Sequence, residues 1–332
     1  MTLVRLGASD VGGRVVVRHR LPDTSATDLV GDLLRLDERE LVVLPDDGPE
    51  VLVRRADVVA AKPVPARVVR PTSGADAVQR VADLGWPGLE RRRLGGWVLR
   101  AGNGFTGRAN SALAVGDPGV PLADAVARVE AFYAERRLPA RVQVPFGLSS
   151  LPAGHEPTAE LDALLAARGW THDEPTLLMT ADLRGADLRG ANPPVPVPAG
   201  TTVDVAPEPD AQWLEQYRYR GGGLPAGARD VLLAAPWQRF VSVRRAGRTV
   251  AVGRVAVARG WAGVTAMTVD AGERRQGLGG WLLQRLLAEG TAEGARFAYL
   301  QVMQSHAAAV ELYRGHGFTP HHRYHYRTAQ PA

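Results

Sequence analysis

Cysteine is absent from all 332 residues of the chain. Without a thiol, the protein can form no disulfide, no thiolate metal site and no cysteine nucleophile. A chain without disulfides suits a reducing compartment, and we expect a cytoplasmic location.

Long apolar runs are missing as well. No stretch approaches the roughly 18 consecutive apolar residues that read as a membrane-spanning helix. The first residues, MTLVRLGASDVGGR, also contain no long apolar run. We therefore expect a soluble protein with no membrane partner.

Lysine is nearly absent. Lys62 is the single lysine, so the 40 basic residues are almost all arginine, and the formal net charge is +5. The arginines are scattered along the chain with acidic residues between them, and no basic stripe with interleaved aromatic residues is present. We therefore expect no nucleic-acid partner.

The rest of the composition is that of a globular protein, with 45% hydrophobic and 23% charged residues. A chain of this length usually forms about two or three domains. Residues 1–68 carry short runs of alternating apolar and polar residues around a turn at Asp46–Gly48. This pattern predicts a small five-stranded SH3-like β-barrel. It contains no catalytic constellation, and we interpret it as a docking or stabilising module.

Two segments of mixed helix and strand pattern follow, over residues 73–183 and 201–330, separated by a glycine- and proline-rich linker over residues 184–200. In the first segment, Ala109–Val115 is predicted to be a strand. The main predicted elements of the second segment are strands at Val264–Val269, Ala298–Met303 and Arg323–Arg327 and a helix at Ala307–Arg314. The fold class is therefore α/β, with a mixed sheet.

The two segments repeat one another. Gly169-Trp170 in the first and Gly317-Phe318 in the second each close a helix near the segment's end. Val115 and Val269 each end a predicted strand before a loop and a helix. The same strand, loop, helix, strand, helix and strand order in both segments indicates a fused duplicate.

The most informative stretch is Val264–Gly280, VTAMTVDAGERRQGLGG. It predicts a buried strand, a charged turn and glycines that open an apolar helix. Gly277, Gly279 and Gly280 leave backbone N–H groups uncovered at the positive end of the helix dipole. Two arginines just before them add positive charge. This combination predicts a site for a phosphate or pyrophosphate.

Two well-known phosphate loops do not fit this stretch. A P-loop has Gly-Lys-Ser/Thr after its glycines, whereas Trp281 follows here. A dinucleotide fingerprint lies directly at the strand end, whereas Asp270–Gln276 intervene here. The matching loop of the first segment, Gly116–Pro121, contains Asp117, which repels phosphate, and two prolines, which lack an N–H. We expect no phosphate site in the first segment.

The pattern Arg274-x-x-Gly277-x-Gly279 before a leucine-rich helix, with AVELYRGHGF at Ala309–Phe318, closely resembles the acetyl-CoA-binding core of the GNAT N-acetyltransferase superfamily. The resemblance is strong over about 201–327 and weak over 73–183. Barrel and repeats together are similar to actinobacterial three-domain acetyltransferases. The resemblance implies tandem GNAT-like halves, the first degenerate, and acetyl-CoA as co-substrate. It also implies a gap between two diverging strands for the pantetheine arm. The expected cofactor-binding residues are Met267, Thr268, Val269, Arg274, Arg275, Gln276, Gly277, Leu278, Gly279, Gly280, His306 and Tyr313.

Amine acetylation requires a neutral nitrogen, a stabilised oxyanion and a proton for the departing thiolate. Tyr313 is the predicted acid, because a phenol with a pKa near 10 is protonated at neutral pH and can donate to the CoA sulfur. The resemblance assigns the same role to the matching tyrosine. The alternative is a tyrosine half buried in a helix face for packing alone. The backbone N–H of Val269 is the predicted oxyanion donor.

The chain departs from the family pattern at two places. His306 stands where family members often have asparagine, so this contact with CoA would be altered or made by imidazole. Many members also use a glutamate on the strand before the glycines as the general base, and no glutamate lies around Gly263 in this chain. The base is then a water chain or a carboxylate such as Glu208 or Glu215.

Arg218, Arg220 and Arg229 flank a run of three glycines that in such folds borders the acceptor pocket. Arginine suits a carboxylate, which points to a small amino acid such as glutamate as acceptor. Solvated arginines in an arginine-rich chain are the alternative.

Four histidines cluster near the end of the sequence, at His316, His321, His322 and His325. Without cysteine or paired carboxylates beside them, we interpret them as strand and loop histidines and expect no metal.

Three functions are compatible with the sequence. The first is a small-molecule N-acetyltransferase, which we favour, acting as a monomer or homodimer. The second is a protein lysine or N-terminal acetyltransferase that docks its targets on the barrel. The third is a non-catalytic acyl-CoA sensor.

Overall fold

The structure is a computed structural model that describes residues 3–4, 6–45, 50–65, 68–147, 157–184, 197–217 and 222–330. The turn expected at Asp46–Gly48 and most of the linker lie outside these residues. The chain divides into two compact units. The first is Met1–Val68 with Arg92–Val98 and Ala114–Val129, and the second is Val69–Arg91, Leu99–Leu113 and Glu130–Ala332.

The N-terminal residues form a small β-domain, as the alternating runs predict. Its strands are β1 (Leu3–Val4), β2 (Arg14–Arg20), β3 (Ala26–Leu36), β4 (Glu40–Pro45), β5 (Val51–Arg54) and β6 (Val58–Pro63), in the order β1-β6-β2-β3-β4-β5. Alternate residues such as Val15, Val17 and Leu33 point inward and are fully buried. The five antiparallel strands β2 to β6 match the expected number, and β1 adds a short parallel partner to β6.

The next elements are α1 (Ala75–Gly85), β7 (Glu90–Leu94), β8 (Trp97–Ala101), β9 (Ala112–Leu113), α2 (Leu122–Ala134), β10 (Arg141–Phe146), α3 (Pro157–Ala167), β11 (Thr171–His172) and β12 (Thr176–Asp182). The strand predicted at Ala109–Val115 is wrong over most of its length. Arg108–Asn110 is a 3-10 turn, and only β9 is extended. The Asn110 amide explains this, because it hydrogen-bonds backbone groups of Gly102, Gly104 and Phe105 and so closes a loop.

The remaining elements are β13 (Thr201–Ala206), α4 (Ala211–Gln216), α5 (Ala228–Leu232), β14 (Gln238–Arg245), β15 (Arg248–Ala258), β16 (Trp261–Val269), α6 (Leu278–Ala292), β17 (Phe297–Met303), α7 (Ala307–Arg314) and β18 (Thr319–Thr328). The predicted helix α7 is confirmed residue for residue. The strand predicted at Arg323–Arg327 is confirmed and extends further at both ends. Among the described residues, no helix has both the length and the apolar character needed to cross a bilayer.

The large sheet has the order β13-β14-β15-β16-β17-β12-β18-β10-β9-β8-β7. Its centre is symmetric: β9 and β10 are a parallel pair in the first segment, as β16 and β17 are in the second. The last strand of each segment is exchanged, because β12 pairs with β17 and β18 pairs with β10. The two segments therefore share one sheet, a feature that the sequence repeat alone does not predict.

The parallel pair β16 and β17 separates partway along its length. The strands are paired from Trp261 and Phe297 as far as Val264 and Leu300, and no later residue of β16 is paired with β17. On the other side of β16, the register with β15 shifts between Val252 and Arg254, and Ala266 has a φ of 54°. This is a β-bulge, which bends the strand and turns the following residues to new directions.

Helix α6 covers one face of this sheet. Its buried leucines, among them Leu282, Leu283 and Leu286, pack with Val264 and Leu300 in the main hydrophobic core. Burying each such side chain contributes about 2 kcal/mol. The sequence predicts this apolar helix face from leucine spacing.

Candidate active site

A cavity of about 1070 Å³ opens where β16 and β17 diverge. Its lining includes most residues that the sequence predicts to bind the cofactor: Met267, Thr268, Val269, Arg274, Arg275, Gly277, Gly279, Gly280, His306 and Tyr313. Gln276 and Leu278 are not part of the lining. The sequence analysis missed a second group of lining residues, Ser305, Ala307, Ala308, Ala309 and Leu312. Ser305 precedes α7 and Leu312 lies in its last turn, whereas the three alanines lie at its start, where their small side chains leave room beside the backbone.

The glycine loop places helix α6 with its free end toward the cavity. Gly277 precedes the helix in the left-handed region, with φ 78°, and Arg275 is left-handed as well, with φ 61°. The first helical hydrogen bond is donated by the N–H of Trp281, so the N–H groups of the preceding first turn have no intrahelical partner. No acidic residue lies in that turn. This end of α6 can therefore bind an anion.

The charge of the loop is positive because its acids are already paired. Asp270 accepts a hydrogen bond from Arg248 at 2.7 Å, and Glu273 pairs with Arg245. The Arg248 guanidinium holds the pKa of Asp270 below its usual value. Among the described residues, no carboxylate pairs with Arg274 or Arg275. Both arginines line the cavity, which leaves them able to meet an anionic ligand.

Glycine is required at different positions of the loop for different structural reasons. A Cβ added at Gly277 would meet nothing within 4 Å, so this glycine is required by its backbone angle. A Cβ at Gly280 would lie 2.8 Å from Nε2 of His316. Gly280 therefore permits close packing of α6 against the residues after α7, in addition to any contact with ligand. Leu278 is buried and anchors the first turn in the core.

The end of β16 presents backbone groups to the cavity. The N–H of Asp270 donates to the Val250 carbonyl at 2.8 Å. Because successive N–H groups of a strand point to opposite sides, the N–H of Val269 points away from β15, toward the side that β17 has left. The Val269 carbonyl accepts from Nε of Arg274 at 3.1 Å. An N–H in this position is available to a ligand oxygen.

Tyr313 lies on α7 with its ring packed against Phe318, at 6.2 Å between ring centroids. The ring lines the cavity, and no hydrogen bond to its hydroxyl is found within the described part of the chain. Burial raises the pKa of this phenol above its ordinary value of 10. The hydroxyl is therefore protonated at neutral pH and free to donate.

His306 caps the start of α7 and is exposed at the cavity rim. The neighbouring Ser305 is held by a carboxylate that the sequence analysis missed: Glu174 accepts from the Ser305 N–H at 2.6 Å and from its hydroxyl at 2.8 Å. Glu174 belongs to the first sequence segment, so that segment supports the rim of this cavity. No sequence signal links the two residues, because strand exchange brings them together.

Of the three arginines predicted to bind substrate, the structure describes one. Arg218 and Arg220 lie outside the described residues. Arg229 is on α5, exposed and ion-paired with Glu208, and it does not line the cavity. The same ion pair engages one of the two carboxylates considered as base. The substrate role of these residues stays a prediction.

The four C-terminal histidines do not converge on one point. His316 bonds the Leu312 carbonyl, His321 the Ser73 carbonyl, and His325 the Asp162 carboxylate. His322 contacts Gln79 at 2.9 Å, and burial lowers its pKa to about 3. Within the described ranges, no group of three His, Asp or Glu side chains is arranged to hold a metal ion.

The matching loop of the first segment is closed by its own neighbours. Trp97 donates its indole N–H to the Gly116 carbonyl at 2.9 Å, and the Gly96 N–H donates to the Asp117 carbonyl at 2.6 Å. A Cβ on Gly95 would lie 2.4 Å from the Pro118 carbonyl carbon, so the hairpin tip is in contact with the loop. The space that the second segment offers to an anion is filled here.

Comparison with known proteins adds family information to this geometry. The family model described as "Probable histone acetyltransferase Rv0428c C-terminal" matches residues 72–327, and that of the "Rv0428c N-terminal Sm-like domain" matches residues 9–62. The β-domain that the sequence analysis describes as SH3-like is therefore Sm-like.

Two curated proteins are similar to the chain. The "Probable histone acetyltransferase Rv0428c" of Mycobacterium tuberculosis is 31% identical over 96% of both chains. The "Uncharacterized N-acetyltransferase YobR" of Bacillus subtilis is 29% identical over 75% of this chain and 96% of its own. Among solved structures, a GCN5-related N-acetyltransferase from Kribbella flavida superposes with a TM-score of 0.56 at 20% identity, over 79% of this chain and 97% of its own. This likeness concerns the fold alone.

Proposed function

Because the chain belongs to the Rv0428c acetyltransferase family, we propose that it transfers the acetyl group of acetyl-CoA to a primary amine of a small molecule. A small amino acid, glutamate for example, is the proposed kind of acceptor. The observation that carries the proposal is the cavity at the end of β16, which is lined by the start of α6, the strand residue Val269 and the protonated phenol of Tyr313.

The residues of the cavity fit the parts of acetyl-CoA. The first-turn amides of α6 and the side chains of Arg274 and Arg275 suit the pyrophosphate. The unpaired edge of β16, from Met267 to Val269, suits the amides of the pantetheine arm, since a strand edge bonds an extended chain through its backbone. The small side chains at the start of α7 leave space along the cavity wall that larger side chains would fill.

The same residues supply the chemistry of amine acetylation. In this proposal, the Val269 N–H would donate to the thioester oxygen, where negative charge develops as the amine attacks. Tyr313 would give its proton to the departing sulfur, and its raised pKa supports this role because the phenol keeps that proton at neutral pH. Loss of the amine proton requires a base, for which Glu215 and a water chain remain the candidates after the pairing of Glu208 with Arg229.

A second candidate is acetylation of protein lysine. It is favoured by the name of the Mycobacterium tuberculosis relative, a probable histone acetyltransferase that is similar over 96% of the chain. In this alternative, the Sm-like domain is the docking module for the protein target.

The test is a thiol-release assay with the full chain and acetyl-CoA. We expect CoA release that depends on free amino acids and exceeds the release with lysine peptides. Release with lysine peptides alone would replace the first proposal with the second. Calorimetric binding of CoA without release by any amine would identify a sensor and overturn both enzyme proposals.

A further inference from the structure

Arg254 is a buried cation that pairs with no carboxylate among the described residues. It lies on β15 with a side chain that is 0% exposed. Its Nε donates to the Leu232 carbonyl at 2.8 Å, and its Nη1 donates to the Gly85 carbonyl at 3.1 Å. Its Nη2 is buried and has no hydrogen-bond partner among the described residues. A buried guanidinium with an unused donor is costly, because an unsatisfied charged group loses its hydration without replacement.

Arg108 lies beside the same indole as Arg254. The guanidinium carbon of Arg254 is 5.0 Å from the ring centroid of Trp86, and that of Arg108 is 5.1 Å from it. Arg108 is half-buried. Within the described ranges, its guanidinium has neither an ion pair nor a hydrogen bond to a side chain. Two cations thus share one aromatic neighbour, and neither is paired with a carboxylate in the part of the chain that the structure describes.

The phenols of Tyr217 and Tyr299 interact electrostatically with both arginines. Burial lowers the pKa of Arg108, and the phenols of Tyr324, Tyr326, Tyr217 and Tyr299 more than offset this, so its pKa is raised. The net effect favours the charged form. Burial, together with repulsion from Arg108, lowers the pKa of Arg254 to about 10. Both groups are therefore charged at neutral pH, and a bound anion that contacts both would relieve their repulsion.

The pair lies beside the gap between β16 and β17. Nη1 of Arg254 is 3.3 Å from the hydroxyl of Thr265, the first residue of β16 beyond the parallel pairing. On β17, the first residue beyond the pairing is Gln301, which accepts from the hydroxyl of Tyr324 at 2.7 Å. These two residues alternate with Val264 and Leu300, which face α6, so they lie on the other face of the sheet. The arginines and the helix end of α6 thus approach the gap from opposite faces.

We propose that Arg254 and Arg108 bind the carboxylate of the acetyl acceptor, which makes the acceptor a small primary amine that carries a carboxylate. This inference rests on the proposed acetyltransferase function and adds the residues that select the substrate. Arg108 and Trp86 come from the first sequence segment. The segment that lacks an anion loop of its own therefore contributes acceptor recognition to the second.

The burial and charge of the pair select among acceptors. Guanidinium groups match carboxylates through paired N–H donors, and the unused Nη2 of Arg254 supplies one such donor. Arg254 has no exposed surface, and Arg108 is the more exposed of the two, so only a small ligand entering past Arg108 reaches both. A lysine side chain in a cationic histone-like segment would be repelled by two positive charges. The pair thus favours a free amino acid over a protein target.

The test compares matched amines in the full chain. Free α-amino acids and the same compounds as C-terminal amides are assayed for CoA release and, with CoA present, for calorimetric binding. We expect the acids to be preferred in kcat/KM by at least 10-fold. Arg108→Gln should raise KM for the acids by roughly 10- to 100-fold, the effect of losing a charge-assisted partner. KM for the amides and the affinity for CoA should stay unchanged.

Arg239→Gln is the matched control, because Arg239 also lies half-buried over an indole, 4.7 Å from the centroid of Trp237. It should leave the preference for acids intact. Equal use of acids and amides by the unmodified protein would overturn the inference while leaving acetyl transfer standing. So would a loss of CoA affinity in Arg108→Gln, which indicates a structural role. If no amine is acetylated, acetyl transfer itself fails, and calorimetry still decides whether acids bind through Arg108.

Discussion

The anion site at the start of α6 can be tested by an isosteric pair of substitutions at Gly277. Asn and Asp both tolerate the left-handed backbone found there, with φ 78°, and the space around a new Cβ is open. The two variants therefore share the cost of replacing glycine. They differ by one negative charge beside the amides that we propose to bind the pyrophosphate.

The size of the difference follows from Coulomb's law. Two unit charges ~4 Å apart interact by about 1 kcal/mol in water and about 4 kcal/mol at an effective dielectric constant of about 20. Gly277 lies at an open surface, so we take about 1 to 2 kcal/mol. Gly277→Asp should then bind CoA roughly 5- to 30-fold more weakly than Gly277→Asn.

Calorimetry with CoA at low and high salt measures this difference. The gap between the variants should shrink as ionic strength rises, because salt screens exposed charges. Equal CoA affinity in Asp and Asn variants at low salt would show that no phosphate binds beside Gly277, and the proposed cofactor site would be wrong.

Three further outcomes are expected. Tyr313→Phe should lower kcat by roughly 100-fold or more, because the departing thiolate loses its acid, while calorimetry shows unchanged affinity for acetyl-CoA. Gly280→Ala should lower the free energy of unfolding by about 1 to 3 kcal/mol in urea titrations, because its Cβ would lie 2.8 Å from His316. The folded-state pKa of His322 is about 3, below its ordinary 6.5. Below pH 6.5 the unfolded chain therefore binds a proton that the native chain does not, and stability falls by up to about 1.4 kcal/mol per pH unit. His322→Gln should flatten this fall between pH 6.5 and 4, and an unchanged slope would contradict the assignment.

Local features of the fold could be predicted from sequence. Helix α7 follows from apolar spacing closed by Gly317, and the entry to α6 follows from Gly277 after a charged turn. In both cases neighbouring residues determine the backbone. The strand predicted at Ala109–Val115 is wrong over most of its length because its apolar pattern does not determine the backbone there. The Asn110 side chain bonds backbone groups of the preceding loop, and the apolar residues around Asn110 do not indicate that loop.

The candidate site likewise has parts that could be predicted from local sequence and parts that could not. The loop from Arg274 to Gly280 is continuous in sequence, so its glycine spacing is enough to predict an anion site there. The bulge at Ala266 could not be predicted from the sequence, because alanine rarely adopts a positive φ and therefore does not indicate one. The contact of Glu174 with Ser305 could not be predicted from the sequence either, because it depends on the pairing of the exchanged strand β12 with β17.

By itself, the sequence determined the family, the repeat and the glycine loop that lines the cavity, because each depends on residues close together in the chain. Only the tertiary structure decided which strands pair, where β16 and β17 part, and that Arg108 and Arg254 both lie beside Trp86. These depend on contacts between distant segments, whose free energy comes from burial and hydrogen bonding in the assembled sheet.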